Sequence, residues 1–205
     1  MTETIAGLIL AGGKSTRFGT DKASAPLEGR PMLQWVVDAL AGVCEEIVIV
    51  AALGQELPAV AADVPVTIAR DLYAAKGPLA GLVSGFQTVG HPLCFAVSCD
   101  APLVRPELVG VLAKAASGHD IACPLIGGFM EPLVAVYRPQ ACSPVFRDFV
   151  DRGILKITAA FGTLDLVLVA ESEVRSVDPD LESFLNANRP EVLEDIAQRL
   201  SARHR

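Results

Sequence analysis

An apolar run near the N-terminus, Ile5–Leu10, passes directly into a loop of small and basic residues that extends to Lys22. The run carries no polar side chain, so a strand formed from it has to be buried on both faces. Gly12 and Gly13 follow it, and because they lack a Cβ the backbone can turn sharply there and approach a ligand closely. The sequence therefore predicts a buried first strand whose carboxyl end opens into a binding loop.

The composition of this loop suits a polyphosphate. Arg17 offers a planar fork of N–H donors and Lys22 a compact positive charge. The backbone N–H groups of Gly12 and Gly13 are expected to point at anionic oxygens. Two well-known phosphate loops are excluded, because the loop contains neither G-x-x-x-x-G-K-[ST] nor G-x-G-x-x-G. The alternative interpretation is an ordinary strand-to-helix turn with solvated basic residues.

Length, composition and charge restrict the class of protein. At 205 residues, 51% of them hydrophobic and 20% charged, the chain is expected to fold as a single domain over residues 1–205. A net charge of −7 is a poor electrostatic match for nucleic acid or an anionic membrane surface. The first residues lack the basic segment of a secretory signal, and no apolar run approaches the roughly 18 residues needed to cross a membrane. A cytoplasmic protein is expected.

Strand-like and helix-like segments alternate along the chain. After the first strand, we expect strands at 46–50, 65–68, 93–99, 121–124, 133–137 and 164–169. We expect helices at 31–40, 79–89, 106–116, 144–152 and 191–200, the first of them beginning at Pro31. Continuous apolar strands separated by helices predict a Rossmann-like α/β sandwich of three layers, with a mainly parallel sheet and helices on both faces. The five cysteines show no C-x-x-C spacing and are expected to be buried thiols, with Cys94 and Cys99 on opposite faces.

Two aspartates follow predicted strands at their carboxyl ends. Asp100 is followed by Pro102, which stops the strand, and its carboxylate suits Mg²⁺, an ion that takes one or two carboxylates and completes its shell with phosphates and water. Asp71 could accept hydrogen bonds from a base or a ribose. Ligands of such folds bind beyond the carboxyl ends of the strands, so we expect both aspartates to lie near the first loop. The alternatives are a helix N-cap for Asp100 and a cap of the Gly-Pro turn at 77–78 for Asp71.

A further polar motif lies near the C-terminus. Asn186 and Asn188 are two positions apart, so in an extended segment their side chains project to the same face. Each amide supplies both donors and acceptors for a ligand. As an alternative, Asn188 caps the helix that Pro190 begins.

Together, four motifs resemble the molybdenum cofactor guanylyltransferases. They are L-A-G-G-x-x-x-R-F-G-x-x-K in the first loop, G-P-L-A-G at 77–81, C-D-x-P at 99–102 and N-x-N-x-P-E at 186–191. The resemblance extends from about residue 7 to about residue 195. That family transfers GMP from GTP to the terminal phosphate of molybdopterin. The resemblance thus implies a nucleotidyltransferase with GTP and molybdopterin as substrates, Mg²⁺ as cofactor and molybdoenzyme maturation proteins as partners.

The resemblance also implies roles for individual residues. It assigns nucleotide binding to Leu10, Ala11, Gly12, Gly13, Lys22, Asp71 and Asp100. It assigns catalysis to Lys22, Arg17 and Asp100, the metal to Asp100, and the acceptor to Asn186 and Asn188. The N-terminal part of the domain is then the nucleotide-binding part, and the C-terminal part binds the acceptor.

One position departs from the family pattern. After the second strand the family has N-x-N-R, whose second Asn contacts the nucleotide, whereas this chain has Ala52 there. Alanine cannot hydrogen-bond through its side chain, so the choice of base is open. The alternatives are a nucleotidyltransferase that uses CTP or another phosphate acceptor, and a non-catalytic carrier of nucleotide or molybdopterin.

Overall fold

The computed structural model describes residues 3–12, 21–73 and 76–203. The strands of these residues are β1 (Ile5–Leu10), β2 (Pro26–Leu27), β3 (Arg30–Pro31), β4 (Glu46–Ala51), β5 (Val66–Arg70), β6 (Leu93–Ser98), β7 (Ile121–Ile126), β8 (Phe129–Met130), β9 (Val134–Tyr137) and β10 (Leu166–Ala170). The α-helices are α1 (Met32–Ala41), α2 (Gly77–Phe86), α3 (Pro106–Ala115), α4 (Pro139–Asp151), α5 (Glu171–Arg175) and α6 (Pro190–Arg203).

The main sheet has the strand order β10-β7-β9-β6-β1-β4-β5, with β8 paired to β7. In its centre β1 runs parallel to β4 and to β6, and β5 continues the parallel set beyond β4. Since β9 is antiparallel to both β6 and β7, those two strands point the same way. The carboxyl ends of β1, β4, β5, β6 and β7 therefore share one edge of the sheet, and the predicted mainly parallel sheet is confirmed.

Helices cover both faces of this sheet. Successive residues of β1 alternate between two cores: Ile9 packs with α1, α3 and α5 on one face, and Leu8 packs with α2 and α4 on the other. The predicted three-layer sandwich is confirmed. All five cysteines are buried, and Cys94 and Cys99 lie in opposite cores as expected.

A third, smaller core joins the C-terminal helix to the sheet. It contains Leu27 from the β2–β3 ribbon, Leu103 from the segment after β6, and Ile196 and Leu200 from α6. Ala187 is fully buried in the same core. The segment before α6 is thereby held beside the edge where β6 ends.

Some predicted boundaries are wrong. Pro31 does not begin α1 but precedes it, because it keeps an extended conformation (φ −58°, ψ 139°) and pairs with Pro26 in the β2–β3 ribbon. α4 begins at Pro139, and Pro144, where the sequence places the helix start, lies inside it. Both prolines suit a first helical position, and the bonds from Ala141 N and Cys142 N to Arg138 O show which one takes it. Among the described residues, no helix is long and apolar enough to span a membrane.

α2 approaches the sheet closely through Gly85. A Cβ built on Gly85 would lie 2.4 Å from Leu8 Cδ1 and 2.9 Å from Val50 Cγ2, and both of those side chains are buried. Glycine at this position lets the helix rest directly on β1 and β4. By contrast, a Cβ built on Gly110 in α3 meets nothing within 4 Å.

These two glycines should respond oppositely to substitution by alanine. Gly85→Ala should lower the free energy of unfolding by about 1–3 kcal/mol, because Leu8 and Val50 must move in a packed core. Gly110→Ala should raise it by about 0.5–1 kcal/mol through helix propensity. Urea denaturation measures both. A Gly85→Ala variant as stable as Gly110→Ala would contradict the close packing of α2.

Glu182 fastens α6 to the rest of the fold. Its carboxylate contacts Arg105 Nη2 at 2.7 Å and Arg199 Nη1 at 3.0 Å, and it also pairs with Arg203. Burial alone would raise the pKa of Glu182, but the hydrogen bonds from these guanidinium groups outweigh it and lower the pKa to about 2. Asp178 beneath it is fully buried and accepts the backbone N–H groups of Glu182 and Ser183.

The stability contributed by Glu182 should depend on pH. Its pKa is lower in the folded protein than its ordinary 4.5, so the contribution is complete above about pH 4.5 and is lost as pH falls toward about 2. At pH 7, Glu182→Gln should cost roughly 2–3 kcal/mol of unfolding free energy. Urea denaturation at several pH values should show the gap to the wild type narrowing below pH 4.5. Glu194→Gln, on the exposed side of α6, is the control, and a gap independent of pH would contradict the prediction.

Candidate functional site

The first candidate residues lie where β1 ends. The N–H groups of Ala11 and Gly12 both donate to Val50 O, at 2.9 and 3.1 Å. This corrects the expectation that the Gly12 N–H points at a ligand, because the neighbouring strand β4 already takes it. A Cβ on Gly12 would lie 3.1 Å from Ala52 N, so any larger residue would crowd the backbone after β4. Gly13 and Arg17 lie outside the described residues.

Leu10, the last residue of β1, lies buried at this edge of the sheet. A Cβ on Gly81 of α2 would lie 3.2 Å from its Cδ2 atom, so the Gly-Pro-Leu-Ala-Gly motif brings the start of α2 against the end of β1. Its carbonyl accepts Cys99 N at 3.0 Å, which ties the end of β6 to β1. Leu10 and Ala11 therefore support the site as buried residues.

Lys22 stands at the centre of the site. It begins a short 3-10 turn, Lys22–Ser24, that is capped by Asp21, whose Oδ1 accepts Ala23 N at 3.0 Å. Lys22 Nζ lies 2.7 Å from Asp100 Oδ2 and also donates to Asn188 Oδ1. The side chains of Lys22 and Asp100 are only 16% and 10% exposed, so this ion pair is partly shielded from water.

Asp100 lies two residues after the end of β6 and is not the N-cap of α3. α3 begins six residues later, and Arg105 occupies its N-cap position, so the alternative role as an N-cap is wrong. The main-chain carbonyl of Asp100 accepts Ala187 N at 2.8 Å. Asp100 therefore contacts Lys22 through its side chain and fixes the asparagine segment through its backbone.

The two asparagines are held differently from the prediction. Asn188 N donates to Asn186 O at 2.7 Å, so the segment makes a tight turn and is not extended. The amide oxygen of Asn188 accepts from Lys22, while the first bonds of α6 run from Val192 N and Leu193 N to Arg189 O. Asn188 therefore belongs to the site through its contact with Lys22, and Asn186 lies beside Asn188 in the turn.

Asp71 lies at the same sheet edge but outside the Lys22 cluster. Its N–H donates to Ala51 O at 2.8 Å, and its Oδ1 accepts Tyr73 N at 2.9 Å and Ser84 Oγ at 3.2 Å. Asp71 therefore connects its own loop to α2 through Ser84. None of these contacts involves Gly77 or Pro78, so they do not support the alternative role of Asp71 as a cap of the Gly-Pro turn.

Sequence reasoning missed Gln55, which lies three residues after Ala52. Its side-chain amide contacts Ala11, Asp21 and Ala52, so it touches residues on both sides of the first loop. The signal available was an amide residue directly after Gly54, in a short loop at the carboxyl end of a central strand.

Cys99, next to Asp100, is not an activated nucleophile. Burial, together with the negative charges of Asp100 and Asp21, raises the pKa of its thiol to about 12, and the opposing charge of Lys22 does not offset this. A thiol with such a pKa stays protonated at neutral pH. The groups of this site that are suited to chemistry are therefore the Asp100 carboxylate and the Lys22 ammonium group, and not a thiol.

The donor set fits a magnesium ion that is shared with a ligand. The described residues contain no group of three or more His, Cys, Asp or Glu side chains able to enclose a metal. Mg²⁺ does not require one, since it commonly takes one or two carboxylates and completes its shell with phosphate and water oxygens. The carboxylate of Asp100, beside a basic loop, suits that arrangement.

An apolar groove of about 550 Å³ lies farther along the same edge. It is lined by Pro78 at the start of α2, Leu133, and the exposed side chains of Phe129 and Leu168, with Lys156 at its border. Arg152 does not join it, because its guanidinium pairs with Asp148 and packs over Phe149. Lys156 lines the groove, whereas Arg152 does not.

Comparison with known proteins agrees with this geometry. Residues 7–164 match the MobA-like NTP transferase domain. A molybdenum cofactor guanylyltransferase from Desulfosudis oleivorans is 35% identical over 94% of this chain and 94% of its own. A probable molybdenum cofactor guanylyltransferase from Natronomonas pharaonis is 33% identical over 95% of this chain and 98% of its own.

Solved structures show the same fold. Molybdopterin-guanine dinucleotide biosynthesis protein A from Archaeoglobus fulgidus superposes with a TM-score of 0.79 at 24% identity, covering 96% of this chain and 99% of its own. The 2-C-methyl-D-erythritol 4-phosphate cytidylyltransferase from Thermus thermophilus gives 0.72 at 17% identity, covering 98% and 100%. With the domain match and the full-length relatives, these likenesses lead to one conclusion: the chain belongs to the MobA-like NTP transferases, in the family of molybdenum cofactor guanylyltransferases.

Proposed function

We propose that this protein transfers GMP from GTP to the terminal phosphate of molybdopterin and releases pyrophosphate. The observation that carries the proposal is the meeting of Lys22, Asp100 and Asn188 beyond the ends of β1 and β6. The names of the full-length relatives supply the two substrates. One domain holds both parts of the reaction, with the nucleotide at the N-terminal strands and the acceptor toward Asn186 and Asn188.

The reaction is an in-line displacement at the α-phosphorus of the nucleotide. An oxygen of the molybdopterin phosphate attacks, the bond from the α-phosphorus to the bridging oxygen breaks, and that oxygen leaves with pyrophosphate. A phosphate nucleophile is already ionised at neutral pH, so no general base is required. The two described histidines fit this, since His91 contacts Thr4 and His119 contacts Asp165, away from the site.

Catalysis then rests on charge and position. Lys22 and Arg17 offset the negative charge that builds on the α- and β-phosphates. Asp100 is the residue that would hold Mg²⁺, which when bound offsets further charge on the triphosphate. The Lys22–Asp100 pair keeps both side chains in place.

Recognition of the base and the acceptor follows from the same edge. Asp71, at the end of β5, is the proposed contact for the base or ribose. Asn188 reaches Lys22 and is the proposed contact between the acceptor and the reacting phosphates, with Asn186 beside it. We further propose that the reaction is cytoplasmic and that its product passes to molybdoenzyme maturation proteins.

Removing either charged residue of the central pair should abolish transfer. Lys22→Ala and Asp100→Asn should each lower pyrophosphate release, in the presence of GTP, Mg²⁺ and molybdopterin, by about 100-fold or more. Lys114→Ala, at the exposed end of α3, is the matched control and should leave the rate unchanged. Thermal melts check that all three variants are folded. Near-normal turnover by either site variant would contradict its role.

A panel of nucleotides tests the choice of base. Pyrophosphate release with molybdopterin should be faster with GTP than with CTP, ATP or UTP. Faster release with CTP would make the protein a cytidylyltransferase. Nucleotide binding without release from any of the four would favour the carrier alternative or another acceptor.

A further inference from the structure

The amide of Gln55 holds both flanks of the first loop. Its Nε2 donates to Ala11 O at 3.0 Å and also to the carboxylate of Asp21, while its Oε1 accepts Ala52 N at 2.8 Å. Ala11 immediately precedes the loop residues 12–20 and Asp21 immediately follows them. One half-buried side chain therefore bridges the two residues that flank this segment of the sequence.

These contacts use both N–H donors of the amide and one acceptor site of its oxygen, in one orientation. Both Nε2 hydrogens face oxygens that can only accept, a backbone carbonyl and a carboxylate, and Oε1 faces a backbone N–H. A carboxylate in place of the amide would present an acceptor to two acceptors. The side chain thus has to be an amide for all three partners to be satisfied.

Gln55 is itself anchored to the sheet. Its N–H donates to Ala52 O at 3.1 Å, which closes a turn in which Gly54 has a φ of +77°. Arg70 Nη1, at the end of β5, donates to Gln55 O at 2.7 Å and to Ala52 O at 3.2 Å. The amide is therefore presented from a turn fixed to β4 and β5.

The contact with Asp21 extends to the charged centre. Asp21 caps the 3-10 turn that carries Lys22, using Oδ1 for Ala23 N and Oδ2 for Gln55. Lys22 in turn reaches Asp100 and Asn188. Moving the carboxylate of Asp21 would therefore move the base of the lysine that is proposed to bind phosphate.

We propose that Gln55 is a positioning residue for the nucleotide, which holds the two ends of the first loop and the turn of Lys22 in their binding geometry. The inference rests on the proposed function in one respect, that this loop binds the nucleotide. Gln55 also occupies the donor and acceptor groups of Ala52, the residue at which the family's asparagine is missing. The side chain of Gln55 binds the N–H of Ala52, and the backbone N–H of Gln55 binds its carbonyl, so the main chain at that position is fixed.

The first test replaces Gln55 by Glu, which is nearly isosteric. Gln55→Glu should weaken GTP binding about tenfold or more at pH 8 and raise the KM for GTP to match, with the KM for molybdopterin unchanged. Gln140→Glu, at an exposed position in the first turn of α4, adds the same charge elsewhere and should change neither constant. General destabilisation would lower the active fraction and would not shift one KM alone.

The pH dependence separates positioning from a loss of packing. In this variant two carboxylates face each other, and their repulsion favours the uptake of one proton as the pH falls. That proton supplies an O–H donor between residues 55 and 21. The ratio of the GTP affinity of Gln55→Glu to that of the wild type should therefore rise as pH falls from 8 to about 5.5. Gln55→Met, which has a similar length and no polar amide, should bind weakly at every pH.

Exchanging donor and acceptor provides the rescue. Asp21→Asn with Gln55→Glu restores one donor facing one carboxylate, and the amide introduced at position 21 keeps an oxygen for Ala23 N. The double variant should bind GTP at least several-fold more tightly than Gln55→Glu alone, whereas Asp21→Asn alone sets donor against donor and should bind weakly. Equal affinity of Gln55→Glu and the wild type, or strictly additive effects in the double variant, would overturn the proposal.

Direct measurement of GTP affinity keeps this test separate from that of the reaction. A wild type that binds GTP but releases no pyrophosphate refutes the proposed transfer, and the affinities of the variants still decide the role of Gln55. A wild type that does not bind GTP overturns both. Circular dichroism of each variant confirms that it is folded.

Discussion

The burial of β1 on both faces is the constraint on which the rest of the molecule depends. A strand without polar side chains, paired in parallel to β4 and β6, requires a helix layer above and another below. Parallel pairing in turn aligns the ends of the central strands. Ala11 and Gly12 after β1, the turn after β4, Asp71 after β5 and Asp100 after β6 lie at one edge of the sheet for this one reason.

Backbone proximity at this edge is set by small residues. Gly12 lies against Ala52, Gly81 against Leu10, and Gly85 against Leu8 and Val50. These contacts allow α2 and the turn after β4 to approach β1 without intervening side chains. Polar residues on the surrounding loops, Lys22, Gln55 and Asn188, then reach their partners across short distances.

Much of the fold and the centre of the site can be predicted from the sequence. Uninterrupted apolar runs indicate the strands, and carboxylates directly after them mark the edge, which is why the sequence alone indicates Asp100 as a candidate site residue. The remaining features depend on partners distant in the chain. Whether the Gly12 N–H is free depends on Val50, and the tight turn at Asn186 and Asn188 depends on the carbonyl of Asp100. For Gln55 the local sequence offers only an amide directly after Gly54, and its role comes from Ala11 and Asp21, which are 44 and 34 positions away.

The contacts of Lys22 also bear on how the chain folds. Its two partners in the site, Asp100 and Asn188, are 78 and 166 positions away along the sequence. Such distant contacts form late, because the entropy of closing long loops has to be overcome before they contribute. A ligand that binds only the assembled site adds its binding free energy to the native state alone. A nucleotide that binds at the proposed site would therefore stabilise the completely folded chain against its partly folded forms.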